Sequence, residues 1–97
     1  MNNPSDSVKL SPIVLRRDGF KVAIRLPPRE HGPPHVHVMS GGAECELWID
    51  AAAIGVKAVH GMRESDVRLA LGVVAGEVQF LLTEWGRLHG SKSAEGK

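Results

Sequence analysis

From Ile13 to Leu26 apolar and polar positions alternate on either side of Asp18-Gly19. An Asp-Gly pair between alternating segments predicts a β-hairpin with a two-residue turn, because glycine accepts positive φ. Pairing across it sets Arg17 against Phe20 and Leu15 against Val22. Phe20, Val22, Ile24 and Leu26 then share an apolar face, interleaved with Lys21, Ala23 and Arg25. Pro27 and Pro28 end the strand, since neither can donate to a ladder.

A second alternating block, HVHVMSGGAECELWI, turns at Gly41-Gly42. A two-residue turn places Ser40 opposite Ala43, Met39 opposite Glu44, Val38 opposite Cys45, His37 opposite Glu46, Val36 opposite Leu47 and His35 opposite Trp48. One face is Val36, Val38, Cys45, Leu47 and Ile49. The other is His35, His37, Met39, Glu44, Glu46 and Trp48. A register slip of one residue would carry polar side chains into the core. The run AAIGVKAV predicts a further, weaker strand ending before His60-Gly61, weakened by its alanines and glycine.

From Glu64 to His89 the period changes. Val67, Leu71, Val74, Val78, Leu81, Trp85 and Leu88 recur at steps of three and four, predicting one long C-terminal helix. Glu64 and Asp66 suit its positive end, Arg87 and His89 its negative end, and Gly90 its stop. Such a helix would run roughly 35–40 Å, more than so small a domain covers along its length. Leu69, Val73, Gly76 and Phe80 make a second stripe. Either other strands wrap that side or the helix kinks at a glycine, or the stripe is a self-association face giving a homodimer. The expected fold class is α+β: a mostly antiparallel sheet of four or five strands packed on the helix through its first stripe.

Composition narrows the function classes. The chain has 97 residues, consistent with a single domain over 13–90 between an N-terminal arm (1–12) and a C-terminal tail (91–97). Twelve Lys and Arg balance eleven Asp and Glu, so net charge does not point to nucleic acid. Cys45 is the lone cysteine, which excludes an internal disulfide and a multi-cysteine zinc site. No apolar run reaches membrane-span length and no signal-type segment opens the chain, so a cytoplasmic location is expected. Phe20, Trp48, Phe80 and Trp85 are too few to make a stacking surface for single strands.

Candidate chemistry concentrates in HGPPHVHV. His35 and His37, two apart on a strand, point the same way. Imidazole is a normal ligand of zinc, iron, nickel or copper, so the pair could hold one divalent metal such as zinc. Glu46 and Glu44 are the natural further ligands. His31 and Glu30 could fold over from a loop stiffened by prolines. The same pair also reads as structural histidines, or as a metal-free acid–base or ligand site beside a carboxylate. Cys45 alternates onto the apolar face and reads as inert. Arg16, Lys21 and Arg25 could share the histidines' face and contact phosphate; as a solubilising basic face they need no ligand.

VLRRDGFKVAI, EHGPPHVHV, GGAECELWI and LLTEWGRLHG together resemble a small bacterial family, domain of unknown function 4160, over about residues 13–90. The turn Gly42-Ala43-Glu44 departs slightly from that family's Gly-Glu-Ala order. The residues that carry the resemblance are Gly19, Pro33, Pro34, His35, His37, Glu44, Trp48 and Trp85. It implies a short cytoplasmic protein whose gene neighbours, or is fused to, another small domain. From this follows the expectation of a binding or regulatory module acting with a partner protein, in a toxin–antitoxin-like pair. A metal-dependent hydrolase or nuclease using His35, His37 and Glu46 is one alternative, and a metal-free histidine site binding nucleic acid or a phosphorylated ligand is another.

Overall fold

Five strands form one sheet in chain order: β1 (Ile13–Arg17), β2 (Phe20–Ala23), β3 (His35–Ser40), β4 (Ala43–Trp48) and β5 (Gly55–His60). Every neighbouring pair is antiparallel. The computed structural model describes residues 12–26, 33–50 and 52–90. Most of the expected N-terminal arm, the C-terminal tail, the strand stop at Pro27-Pro28, and the candidates Glu30 and His31 lie outside the described residues.

The first hairpin forms as its turn residues dictate. Asp18 and Gly19 both take positive φ, 54° and 84°, the requirement of a turn whose twist matches the flanking strands. Arg17 pairs with Phe20 and Leu15 with Val22. The second hairpin has all six expected pairs, from Ser40 with Ala43 to His35 with Trp48. The β2–β3 pairing sets Val22 beside Val38 and Ala23 beside His37, so the apolar faces of the two hairpins merge. Phe20, Val22, Ile24, Val36, Val38, Cys45, Leu47 and Ile49 are buried in one cluster.

Against that cluster lie Met62 and the buried stripe of the helical region, Val67, Ala70, Val74, Leu81 and Trp85. The helical region is not the one long helix that periodicity predicts. It divides into α1 (Glu64–Gly76) and α2 (Val78–His89). Glu77 separates them with φ −125° and ψ 20°. Its N–H donates to the Val74 carbonyl at 3.0 Å, one residue closer than an α-helical bond. Gly76, the last residue of α1, directly precedes the break and is a poor helix former. The freed Glu77 carboxylate pairs with Arg17 at 2.7 Å, tying the junction to β1. Both ends of the helical region fall where expected, with Gly90 capping α2 at φ 68°.

The second stripe is divided as well. Val73 is buried in the core, while Leu69, Gly76 and Phe80 are exposed. β5 is displaced from its expected span and includes His60. The pairing of β4 with β5 shifts register between Glu46 and Leu47, and this bulge matters for the site.

Candidate functional site

The β3–β4 register builds the site. His37 lies directly opposite Glu46, and His35 opposite Trp48. The pleat keeps their side chains on the face away from Val36, Val38, Cys45 and Leu47. Around the two histidines that face is not open to solvent, contrary to a simple two-faced sheet. His35 is 3% and His37 1% exposed. The His35 ring meets Trp48 at 5.5 Å and Trp85 of α2 at 5.2 Å between centroids, and His37 at 5.6 Å. Trp85 in turn stacks on His89 at 3.7 Å, and His89 donates from Nε2 to the Arg25 carbonyl at 2.8 Å. The end of α2 is thereby fastened near His35, and its tryptophan packs against that ring.

Buried imidazoles require defined partners. His35 donates from Nδ1 to the Pro33 carbonyl at 3.0 Å. His37 donates from Nδ1 to Glu44 Oε2 at 2.6 Å. Both acceptors are oxygens, so Nδ1 carries the proton on each ring. In any imidazole that is neutral, a proton on Nδ1 leaves the lone pair on Nε2. The PPHVH segment therefore does more than stiffen a loop, because its proline carbonyl sets one of the two tautomers.

Glu46 is the third member. Its Oε1 accepts from Lys57 Nζ at 3.0 Å and its Oε2 from His60 Nε2 at 2.8 Å. Burial pushes its carboxyl up, but hydrogen bonds from His60 and Lys57, with the charges of His37 and Lys57, outweigh this. They hold it at about 2, against an ordinary 4.5. Glu46 is thus a carboxylate throughout the neutral range. One donor atom each from His35, His37 and Glu46 can be chosen so that all lie within 4.8 Å of one another, a grouping that could hold a metal ion.

Other candidates separate from this centre. Glu44 does not join the three-donor group; it holds His37 and pairs with Arg25 at 3.5 Å. Arg16 and Lys21 face each other across the first hairpin and are exposed. Lys21 neighbours Met39 on β3, so the basic pair lies farther along the histidines' face. Cys45 is fully buried on the opposite face, where burial first, then the charges of Glu44 and Glu46, push its thiol up to about 11. That excludes it as a nucleophile near neutrality.

Lys57, His60, Trp85 and His89 are absent from the site that the sequence predicts. His60 was legible only as the boundary of a weak strand. Its reach to Glu46 depends on the β4–β5 bulge, which no turn residue announces.

The DUF4160 family profile, described as a domain of unknown function, matches residues 19–86. The chain belongs to the DUF4160 family. The DUF4160 match takes in β2 to β5, α1 and most of α2, and with them His35, His37, Glu44, Glu46, Lys57, His60 and Trp85. No curated protein and no solved structure shows a significant match. Among the described residues no helix is long and apolar enough to cross a membrane. The DUF4160 description names no activity, so a functional reading has to rest on the geometry of the centre.

Proposed function

We propose that this DUF4160 protein binds one divalent metal ion through His35, His37 and Glu46, and that the ion serves hydrolytic chemistry. The observation that supports this is the three-donor group within 4.8 Å. Two imidazoles and a carboxylate suit zinc and its neighbours in the first transition row better than magnesium or calcium, which prefer all-oxygen shells. Tetrahedral donors about 2.0–2.1 Å from zinc stand roughly 3.3 Å apart, so binding draws the three side chains together. Three protein ligands leave a fourth position for water, the arrangement of catalytic zinc sites. When bound, the ion would supply an acidified water as nucleophile. Glu46 marks the approach, since its partners Lys57 and His60 lie on an edge strand and His60 is exposed. No feature of the described residues names a partner protein, so the metal reading takes precedence over the regulatory one.

The test is elemental analysis of protein purified without chelator and re-equilibrated with Zn²⁺, followed by assay on an activated phosphodiester. The expected result is one ion per chain, lost in His35→Ala and His37→Ala, with hydrolysis that follows metal content. A wild-type chain that takes up no zinc, nickel, cobalt or copper rejects the metal site. Metal without hydrolysis rejects the catalytic half.

A further inference from the structure

We infer that Glu44 is a positioning residue for this centre: it fixes the His37 ring so that Nε2 is the nitrogen presented to the metal. The inference rests on the metal reading above and assigns a role that the three-donor group does not contain. Its basis is a short chain of contacts. The Glu44 carboxylate lies 2.6 Å from His37 Nδ1, on a ring that is almost fully buried. The side chain of Glu44 is itself 22% exposed and stands 3.5 Å from Arg25, so its carboxylate is held from a second side. A carboxylate at Nδ1 keeps a proton there whether or not the other nitrogen carries one. When a metal replaces the proton on Nε2, the Nδ1–H stays on Glu44, and the negative charge behind the ring raises the electron density it donates. His35 has the same arrangement with a weaker, neutral partner, the Pro33 carbonyl. The two rings are therefore oriented alike by different means, and only one of the means can be changed by substituting a side chain.

Glu44 is distinguished from Glu46 by its contacts. Glu46 faces His37 in register and meets Lys57 and His60 on the outer strand. Glu44 sits one pair closer to the turn, opposite Met39, and reaches His37 on the diagonal. Glu-x-Glu on β4 thus offers one carboxylate to the ion and one to the ligand behind it, while His-x-His on β3 supplies two ligands.

The experiment combines Zn²⁺ competition titration with imidazole-nitrogen NMR on wild type, Glu44→Gln and Glu44→Ala. In Glu44→Ala the affinity for Zn²⁺ is expected to fall about 10- to 100-fold, and the slowly exchanging Nδ1 proton of His37 to disappear. The His35 signals should keep their pattern. In Glu44→Gln the amide oxygen still accepts from Nδ1, so the proton and most of the affinity should return, a recovery that a merely structural defect would not give. Wild-type affinity together with an unchanged Nδ1 signature in Glu44→Ala would overturn the inference. Equal losses in the two variants would overturn it too. A wild-type chain that binds no zinc removes the metal reading alone, because the Nδ1 signature and its dependence on Glu44 are read on metal-free protein.

Discussion

At the level of single residues, opposite sides of one strand give neighbours opposite chemistry. Glu46 is held as a carboxylate by His60 and Lys57, while Cys45 beside it is held as a thiol by burial and two flanking charges. A thiol at about 11 instead of the ordinary 9.0 leaves roughly one molecule in a thousand as thiolate at pH 8, against roughly one in ten once unfolded. Alkylation of Cys45 by iodoacetamide at pH 8 should therefore be at least about 100-fold slower in native protein than in urea. Similar rates would show that the core opens readily or that the thiol is not where β4 places it. The inertness of Cys45 was legible because strand period decides which face it takes. The burial of His35 and His37 was not legible. At His35 it involves Trp85, fifty residues away along the chain, whose ring packs against the imidazole.

At the level of elements, the second hairpin was legible to the residue pair and the first near its turn, though not the register shift between Ile13 and Leu15. Each combines a turn dipeptide that tolerates positive φ, which sets the partners, with an alternation that excludes a one-residue slip. Gly41 has φ 62°, and an alanine there should cost about 1–2 kcal/mol. Gly72 differs. It lies within α1, and a Cβ built on it meets nothing within 4 Å. Gly72→Ala should raise stability by about 0.5–1 kcal/mol through helix propensity. Urea midpoints of the two variants check both signs, and a destabilised Gly72→Ala would mean that α1 needs its flexibility at that point. The helical break was half legible. The first apolar stripe gave no warning, since it continues in phase across Gly76, whereas the second stripe with its glycines did raise a kink. The length argument did warn, because a rod of that span exceeds the sheet. The β4–β5 bulge had no signal at all in the alanine-rich run before His60.

At the level of the whole molecule, the metal reading makes folding and ligation one equilibrium. The centre takes its candidate ligands from β3 and β4, meets α2 through Trp85 against His35, and is braced by β5 through Lys57 and His60. An unfolded chain cannot bring these together. Free zinc at about 100 times its dissociation constant should therefore add about 2.7 kcal/mol to stability, which for a chain of this size corresponds to a thermal midpoint about 10–20 °C higher. Calorimetry with zinc and with a chelator measures it, and His37→Ala should respond to neither. A midpoint indifferent to zinc in the wild type would place the ion elsewhere or nowhere. The β3–β4 hairpin carries a further consequence for how the family's sequences can vary. Core and ligands occupy positions of opposite parity on the same two strands. A deletion or insertion of one residue between His35 and Met39 flips the residues on one side of it, turning an imidazole inward or a valine outward unless a bulge absorbs the change. Length changes most simply at the Gly41-Gly42 turn, where extra residues loop out and both tracks continue unaltered. Chains of this type should therefore drift in the length of that loop while the count from His35 to Met39 and from Glu44 to Trp48 stays constant.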